Sequence, residues 1–593
     1  MPAKKAAKKA AKKAAAQPEV IETRENRARL HKLVIRNFRC IGSRPVEIEL
    51  DDIVILVGAN NAGKSSILRA YEVIMSAGKA ELAIDDFPGR RIDEANLPEI
   101  ELHTYVTVNA PGEEWVDETG LVKERWVWEQ PGKGERVGFL HAQNRWANNN
   151  DPERGPWGVV ASSRRPQVHS VGAFASPKDS ASEIIALLEQ IVKDRLAAEQ
   201  AVARDDQQPN AYQKLLASIG ELQRRVATET RDSIAAVEAE FSEQIAKVFP
   251  GYVVEFDAQP ETALEKALTF FKAGSQLLIG PSDGHKSGIE RQGGGACRTL
   301  LWTALRLLKD RKSRTGSPQV LLLDEPEICL HPNAVRGARD LLYDLPARTG
   351  NWQVMVTTHS PCFIDFEKPH TKIARVFRGE DGQVYGTTIF RPQADQFTPD
   401  EKEALKLSNL CDPYLAEFFF GGRTILVEGD TEHAAFNYVM SAFPEEFRNL
   451  HVVRARGKAA ISGLAKILNQ FGKPYAVLHD SDRPTCKRRD GTTMANGAWT
   501  YNQTIRDTIS AAPDGVAVRL FASVPNFEEA YLDYVSKGEK PFSAVARLRT
   551  DQVSLRRVKD LLAALSSDAA APTGALEWTD LDQLAAALPA EPG

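Results

Sequence analysis

Two sets of residues in this chain have types and spacings that could do chemistry. The first begins at Gly58-Ala-Asn60-Asn61-Ala62-Gly63-Lys64-Ser65-Ser66, which fits G-x-x-x-x-G-K-[ST] without a mismatch. Glycines at both ends let the backbone curl so that several N–H groups point at phosphate oxygens. Lys64 would neutralise the β- and γ-phosphates of ATP, and Ser65 would offer its hydroxyl to Mg²⁺. Gly58, Asn60, Asn61, Ala62, Gly63, Lys64, Ser65 and Ser66 are therefore the expected nucleotide-binding loop. Further along, Val320-Leu-Leu-Leu-Asp324-Glu325-Pro326 is an apolar run ending in two acids. Asp324 suits Mg²⁺, and Glu325 suits activation of the attacking water. Met355-Val-Thr-Thr-His359-Ser360 sets a histidine after another apolar run, and Gly293, Gly294 and Gly295 open a helix whose N-terminus could receive an anion.

The second set is acidic. Ile425-Leu-Val-Glu428-Gly429-Asp-Thr-Glu432, His479-Asp480-Ser481-Asp482 and Pro525-Asn-Phe-Glu528-Glu529 each place carboxylates after an apolar run. Carboxylates brought close together repel one another, and such a cluster is tolerable mainly when cations bind between its members. Oxygen ligands of this kind favour Mg²⁺ or Mn²⁺ over zinc.

Both sets need strands to position them. HKLVIRNFRC and VEIEL alternate apolar and polar residues as strands do, and DIVILVG reads as a strand buried on both faces. A helix follows from Lys64. VLLLD and QVMVTTH supply further buried strands. From 421 the order is TILVEGD, a helix over 430–442, HVVRA, a helix over 459–471, YAVLHD and VRLFASV. Strands alternating with helices predict a mainly parallel sheet. The C-terminal ends of parallel strands share one edge, so the three acidic motifs would meet there.

Between these blocks, residues 109–173 are rich in Pro, Gly, Asn and Trp and read as β-structure with long loops. Residues 178–249 have helical spacing, with Ile184, Leu187, Leu188 and Ile191 on one stripe and a turn near 205–210. That stripe is too long for one hairpin to bury against itself, which predicts a dimerisation arm.

Residues 1–16 hold six lysines and no acid, and cannot form a core. They read as a solubilising extension or an arm touching DNA phosphates. The whole chain has 75 basic and 80 acidic residues. Without those lysines 69 basic residues face 80 acidic ones, which excludes a uniformly cationic coat for nucleic acid. Any DNA must be held by a local basic patch or through metal ions. The six cysteines form no C-x-x-C pair, so a zinc site or disulfide framework is not expected, and a reducing cytoplasm fits. No apolar run is long enough to span a membrane.

The phosphate loop, the Asp324-Glu325 strand end, His359 and the glycine-rich helix start, in this order, resemble an ABC-type ATPase head of the SMC and RecF kind. IRNFRCIGSRPVEIEL resembles the opening of such heads. In that resemblance Glu325 is the catalytic base, His359 senses the γ-phosphate, and two heads close on ATP as a dimer. The acidic motifs resemble a Toprim domain. An ATPase head with a helical insertion followed by Toprim resembles the OLD (overcoming lysogenization defect) family of nucleases over about residues 30–565. The acid set followed by Lys540-Pro541 resembles that family's two-metal class.

This resemblance implies an α/β protein. A Lys/Ala-rich tail would cover 1–29 and the ATPase head 30–177 and 250–395, interrupted by the insertion at 178–249. A helical linker over 396–420 would lead to the Toprim domain over 421–567 and a loosely held tail over 568–593. Glu428, Glu432, Asp480, Asp482 and Glu528 or Glu529 would bind two Mg²⁺ or Mn²⁺ ions, with one further ion beside ATP. Asp480 and Lys540 would be catalytic, Lys540 stabilising charge on the scissile phosphate. The implied activity is ATP-dependent, metal-dependent DNA endonuclease action in a bacterial cytoplasm, in phage defence or DNA processing. Its partners would be DNA and further copies of the chain, as a homodimer or higher homo-oligomer, with a helicase-like partner left open. Two rival readings stand beside it. One is an ATP-gated DNA-binding scaffold with an inactive Toprim-like block. The other is a Toprim primase or topoisomerase, and against a topoisomerase no tyrosine stands out as a covalent nucleophile.

Overall fold

The computed structural model describes residues 29–76, 81–106, 111–157, 166–172, 181–182, 184–188, 234–257, 276–309, 319–349, 352–365, 368, 370–379, 381–391, 397–401, 403, 405, 415–487, 492–533 and 539–589. The lysine-rich start, Ile191 and the expected turn near 205–210 lie outside them. The chain forms two compact units. Most of it up to 358 belongs to the first and most of it from 386 to the second, with residues 55–62 and 359–377 also grouping with the second.

In the first unit, β1 (Arg29–Arg36), β2 (Val46–Glu49), β4 (Glu99–Tyr105), β5 (Leu121–Val127), β6 (Glu135–Leu140) and β7 (Arg145–Trp146) form an antiparallel sheet in the order β2-β1-β4-β5-β6-β7. The Pro- and Trp-rich stretch thus extends the sheet begun by the N-terminal strands. On β5 alternate residues are buried, so a pleated, one-sided pattern underlies it.

Strand β3 (Ile53–Val57), between β2 and β4 in the chain, is buried at all five positions and runs into the phosphate loop. Helix α1 (Lys64–Met75) follows directly. Farther along, β8 (Gln167–Val171) lies parallel to β9 (Gln319–Asp324), which lies parallel to β10 (Trp352–Thr357). The register pairs Asp324 with Thr357, so β9 and β10 end level. Between β8 and β9, helix α2 (Gly294–Lys309) starts in the glycine run. An added Cβ on Gly295 would lie 2.8 Å from the Cys329 carbonyl oxygen, so the helix start is packed against the loop that follows β9. At the described ends of the helical insertion, Ile184, Leu187 and Leu188 are buried, as are Val237, Phe241 and Ile245.

The second unit is built on β11 (Arg423–Val427), β12 (Leu450–Arg454), β13 (Tyr475–Asp480), β14 (Val518–Ser523) and β15 (Ala575–Glu577), in the order β12-β11-β13-β14-β15. The first four are parallel and β15 is antiparallel to β14. Helices α3 (Asp430–Ala442), α4 (Lys458–Gln470), α5 (Gly497–Ser510), α6 (Phe527–Tyr531), α7 (Lys540–Thr550) and α8 (Gln552–Ser566) make the connections. Ile425, Val427, Phe436, Leu478, Phe521, Phe527, Leu548 and Leu561 form one core with no more than 1% exposure. In the linker region a capping box opens a helical segment at 399: Thr398 N–H donates to Glu401 Oε2 (2.8 Å) and Glu401 N–H to Thr398 Oγ1 (3.2 Å).

One expectation needs correction. Residues 568–593 read as a loosely held tail because they are rich in Ala and Pro, yet 575–577 are the antiparallel edge strand β15 of the second unit's sheet. Trp578, next in the chain, is 2% exposed and its Nε1–H donates to His479 Nε2 at 3.2 Å. An indole N–H can only donate, so Nε2 accepts, and the ring proton sits on Nδ1, which donates to the Asp480 carbonyl at 2.7 Å. The apolar content of the segment is concentrated in a few residues, too sparse for a periodic signal. Trp578→Ala should lower the stability of the C-terminal unit by about 3–5 kcal/mol, the usual cost of emptying a large aromatic site. Thermal unfolding checks this, and an unchanged transition would place Trp578 outside the core.

Candidate functional site

The nucleotide-binding residues stand where the first strand–helix passage puts them. Gly58 (φ 147°) and Gly63 (φ 110°) both have positive φ. At Gly58 a Cβ would come within 2.0 Å of the Val376 carbonyl oxygen, so only glycine fits. Asn61 also has positive φ, and the Ala62 N–H closes the loop on the Ala59 carbonyl at 3.3 Å. Lys64 is 5% exposed. Burial lowers its pKa, opposed by the charges of Glu325, Asp324 and Glu327. Ser65 Oγ donates to Asp324 Oδ1 at 3.1 Å, so the hydroxyl and carboxylate expected to share an Mg²⁺ ion are already adjacent. Ser66 Oγ lies 3.4 Å from Cys40 Sγ and is part of the packing under the loop.

The ends of β9 and β10 are tied together. Thr357 Oγ1 donates to Asp324 Oδ1 (2.5 Å) and accepts from Glu325 N–H (3.0 Å), while Thr358 Oγ1 donates to Glu327 Oε1 (2.8 Å). Glu325 has φ 46°, a left-handed conformation uncommon for a residue with a side chain. His359 follows Thr358 in the chain and is half-buried.

The acidic site is built on three strand ends of the second unit. Glu428 directly follows β11, and Glu432 lies in the first turn of α3, 4% exposed. Asp480 ends β13 and Glu528 lies in the first turn of α6, 6% exposed. Backbone hydrogen bonds lock the acids to one another's strands: Asp480 N–H donates to Glu428 Oε2 (3.0 Å) and Phe527 N–H to Asp480 Oδ1 (2.9 Å). Thr431 Oγ1 donates to Glu528 Oε1 at 3.3 Å. Burial raises the pKa of Glu428. Glu432 is pushed up to about 7, by burial first and then by the charges of Glu428 and Glu528. Burial raises Asp480 well above the usual carboxylate range, and Glu432, Glu428 and Glu528 add to the shift.

The structure separates two adjacent acids that the sequence left as alternatives. Glu528 faces Lys540, whose Nζ lies 3.0 Å from its Oε1. Glu529 instead forms a cap with Asn526, donating its N–H to Asn526 Oδ1 (3.0 Å) and accepting from Asn526 Nδ2 (2.8 Å). Glu529 is exposed, whereas Glu528 is 6% exposed. Asp482 acts electrostatically on Glu428 and is ion-paired with Lys458, which sequence reasoning missed. Its only signal was a Gly–Lys pair between a strand and a helix. Beside the site, His479 is fully enclosed and its pKa falls to about 3, from burial and then from the charge of Lys458.

The donor set fits hard divalent ions. Four carboxylates, two of them buried, converge on one edge, and every donor is an oxygen, which suits hard divalent ions. Among the described residues no helix is long and apolar enough to cross a membrane.

Comparison with known proteins agrees with this construction. The AAA ATPase domain family matches residues 29–107 and 176–364, and the TOPRIM domain of overcoming lysogenization defect protein-like proteins matches 419–482. An ATPase-domain match followed by an OLD-like TOPRIM match is the order that the resemblance to the OLD family predicts. It is 22% identical to the OLD nuclease of Thermus scotoductus over 537 residues, covering 88% of this chain and 96% of that protein. The Old nuclease of Escherichia phage P2 is 22% identical over 480 residues, covering 77% of each. A solved Smc head domain from Pyrococcus furiosus aligns with a TM-score of 0.35 at 16% identity, covering 65% of this chain and 100% of that one. The ATPase match skips 108–175, the stretch that here carries β5 to β8.

The raised carboxyl pKa values fix the sign of a pH effect. A carboxyl whose folded pKa lies above its unfolded value binds extra protons in the folded state, so metal-free stability falls as pH rises from the usual carboxylate range through about 7 for Glu432. Metal ions must displace those protons, so Mn²⁺ affinity should rise over the same window. Calorimetry at pH 6.5 in buffers of different ionisation enthalpy checks this. Heats independent of buffer would contradict the proton release.

Proposed function

We propose that the protein is an ATP-dependent, divalent-metal-dependent nuclease that cuts DNA at its Toprim site. The observation that carries this reading is the meeting of Glu428, Glu432, Asp480 and Glu528 at one strand-end edge, with Glu432 and Glu528 buried and burial raising the pKa of Glu428, Glu432 and Asp480. The similarity to proteins named OLD nuclease supports the same reading. Two Mg²⁺ or Mn²⁺ ions at this edge, when bound, would lower the pKa of an attacking water and stabilise the leaving oxygen. The chain's own groups do the rest. Glu428, Glu432, Asp480, Asp482 and Glu528 supply ligand oxygens, and their strand-end backbone bonds hold them in place before any ligand arrives. Lys540, with half of its side chain exposed, can leave Glu528 and meet the scissile phosphate.

In the ATPase site, Lys64 neutralises the phosphates, Ser65 and Asp324 hold the ion that accompanies ATP, and Glu325 takes the proton of the attacking water. His359, at the end of the β10 passage, senses the γ-phosphate. The protein works as a homodimer or higher homo-oligomer, in the cytoplasm, in phage defence or DNA processing, with a helicase-like protein as a further partner class.

Two outcomes separate the activities. Lys64→Ala should abolish ATP hydrolysis, and Glu325→Gln should bind ATP without hydrolysing it, since an amide cannot take the proton. A Glu325→Gln protein that turns over ATP at the normal rate would remove Glu325 from the base role.

Asp480→Ala should cut plasmid cleavage by several orders of magnitude and spare ATP turnover, while Lys540→Ala should lower cleavage by roughly 100-fold with metal binding retained. Both activities are measured on one purified protein. If Asp480→Ala cuts DNA normally, the Toprim-like unit is not a nuclease and the ATP-gated scaffold reading replaces this one.

A further inference from the structure

Lys458 is buried to 4% exposure at the first position of α4. Its Nζ is ion-paired with Asp482 Oδ2 and donates to Asn502 Oδ1 at 2.7 Å. Asn502, on α5, has no exposed surface, and its Nδ2 donates to the Ser481 carbonyl at 2.9 Å. One buried amide therefore grips both the lysine and the backbone between Asp480 and Asp482.

Two features make this an unusual way to hold a loop. A lysine in a helix's first turn faces the positive end of the helix dipole, where a cation is disfavoured. Replacing both members of a buried ion pair by apolar side chains is often neutral or stabilising, so packing alone does not call for this pair. Asp482 itself has φ 56°, left-handed backbone that a residue with a side chain adopts at a cost and that clusters at functional sites. Its side chain is 30% exposed while that of Lys458 is 3% exposed, so the pair meets at the margin of the buried region. Lys540 differs in kind: its side chain is 49% exposed, free to move toward a substrate, whereas Lys458 is fixed from two directions.

We propose that Lys458 is a positioning residue of the nuclease centre. Its ammonium, fixed by Asn502, holds one carboxylate oxygen of Asp482 and leaves the other for a divalent cation. A carboxylate with two oxygens can serve a lysine and a metal at once, and ligand carboxylates commonly take such an outer hydrogen bond. The inference rests on the reading of Asp482 as a metal ligand given above.

The test titrates the full-length protein with Mn²⁺ by calorimetry, without nucleotide or DNA, and then follows plasmid cleavage against Mn²⁺ concentration. Lys458→Met should weaken Mn²⁺ binding about 10- to 100-fold, the range for loss of an outer partner. Its cleavage should return toward the normal maximum at raised Mn²⁺, since the ligands themselves remain. Lys458→Arg should recover part of the loss, and Asn502→Leu should shift affinity in the same direction by a smaller factor. Thermal unfolding confirms that each variant is folded, and if Lys458→Met is not, the Arg and Leu variants decide. Unchanged or tighter Mn²⁺ binding in these variants, with weaker binding in Asp482→Asn, overturns the positioning role and makes Lys458 a bystander or competitor. Unchanged binding in Asp482→Asn overturns the ligand assignment itself and the inference with it.

Discussion

The constraint on which the C-terminal unit depends is repulsion among buried carboxylates. Glu428, Glu432, Asp480 and Glu528 each raise, or have raised by neighbours, the cost of being charged in that space. A fold would ordinarily disperse such groups. Here they are fastened by backbone N–H donors and by two lysines of different character, one exposed on Glu528 and one buried on Asp482. The arrangement keeps oxygen donors close together at the cost of making each harder to ionise.

That constraint explains why the sheet is parallel where the acids meet and antiparallel where it ends. Four parallel strands bring their C-terminal ends to one edge, and each acid needs only the first residues after its strand to reach it. The antiparallel β15 closes the sheet and sends Trp578 under His479, so the imidazole stays neutral behind Asp480. A charged ring there would partly neutralise the acids from within and weaken their claim on a metal ion. In the first unit the same economy applies on a smaller scale: level strand ends bring Asp324 and Thr357 together, and Ser65 completes the set.

Much of this was legible in the chain. The phosphate loop, the Asp324-Glu325 strand end and the acidic motifs are local patterns whose chemistry fixes their spacing, and the apolar runs before them mark the strands. What was illegible arises from distance. Lys458 reaches Asp482, and Asn502 reaches Lys458 and the Ser481 carbonyl, from different helices; beyond the Gly457-Lys458 pair, little in their neighbourhoods sets them apart from ordinary helix residues. Glu528 and Glu529 differ only in which way a helical turn points them, which depends on Asn526 capping the second of the pair. The end of the chain was misread because a single edge strand and one tryptophan leave no periodicity, although they complete the core. Residues 109–173 were readable as β-rich but not in their order, since antiparallel pairing is set by loops that carry no fixed signature.

The position of β15 has a consequence for the protein's making. It is translated after every acid of the site, so the ribosome has already released the motifs around Glu428, Asp480 and Glu528 before the strand that borders β14 exists. Until then β14 is an open edge and His479 lacks the indole that holds its proton in place. A nascent chain would carry the whole acidic motif set without its closing wall.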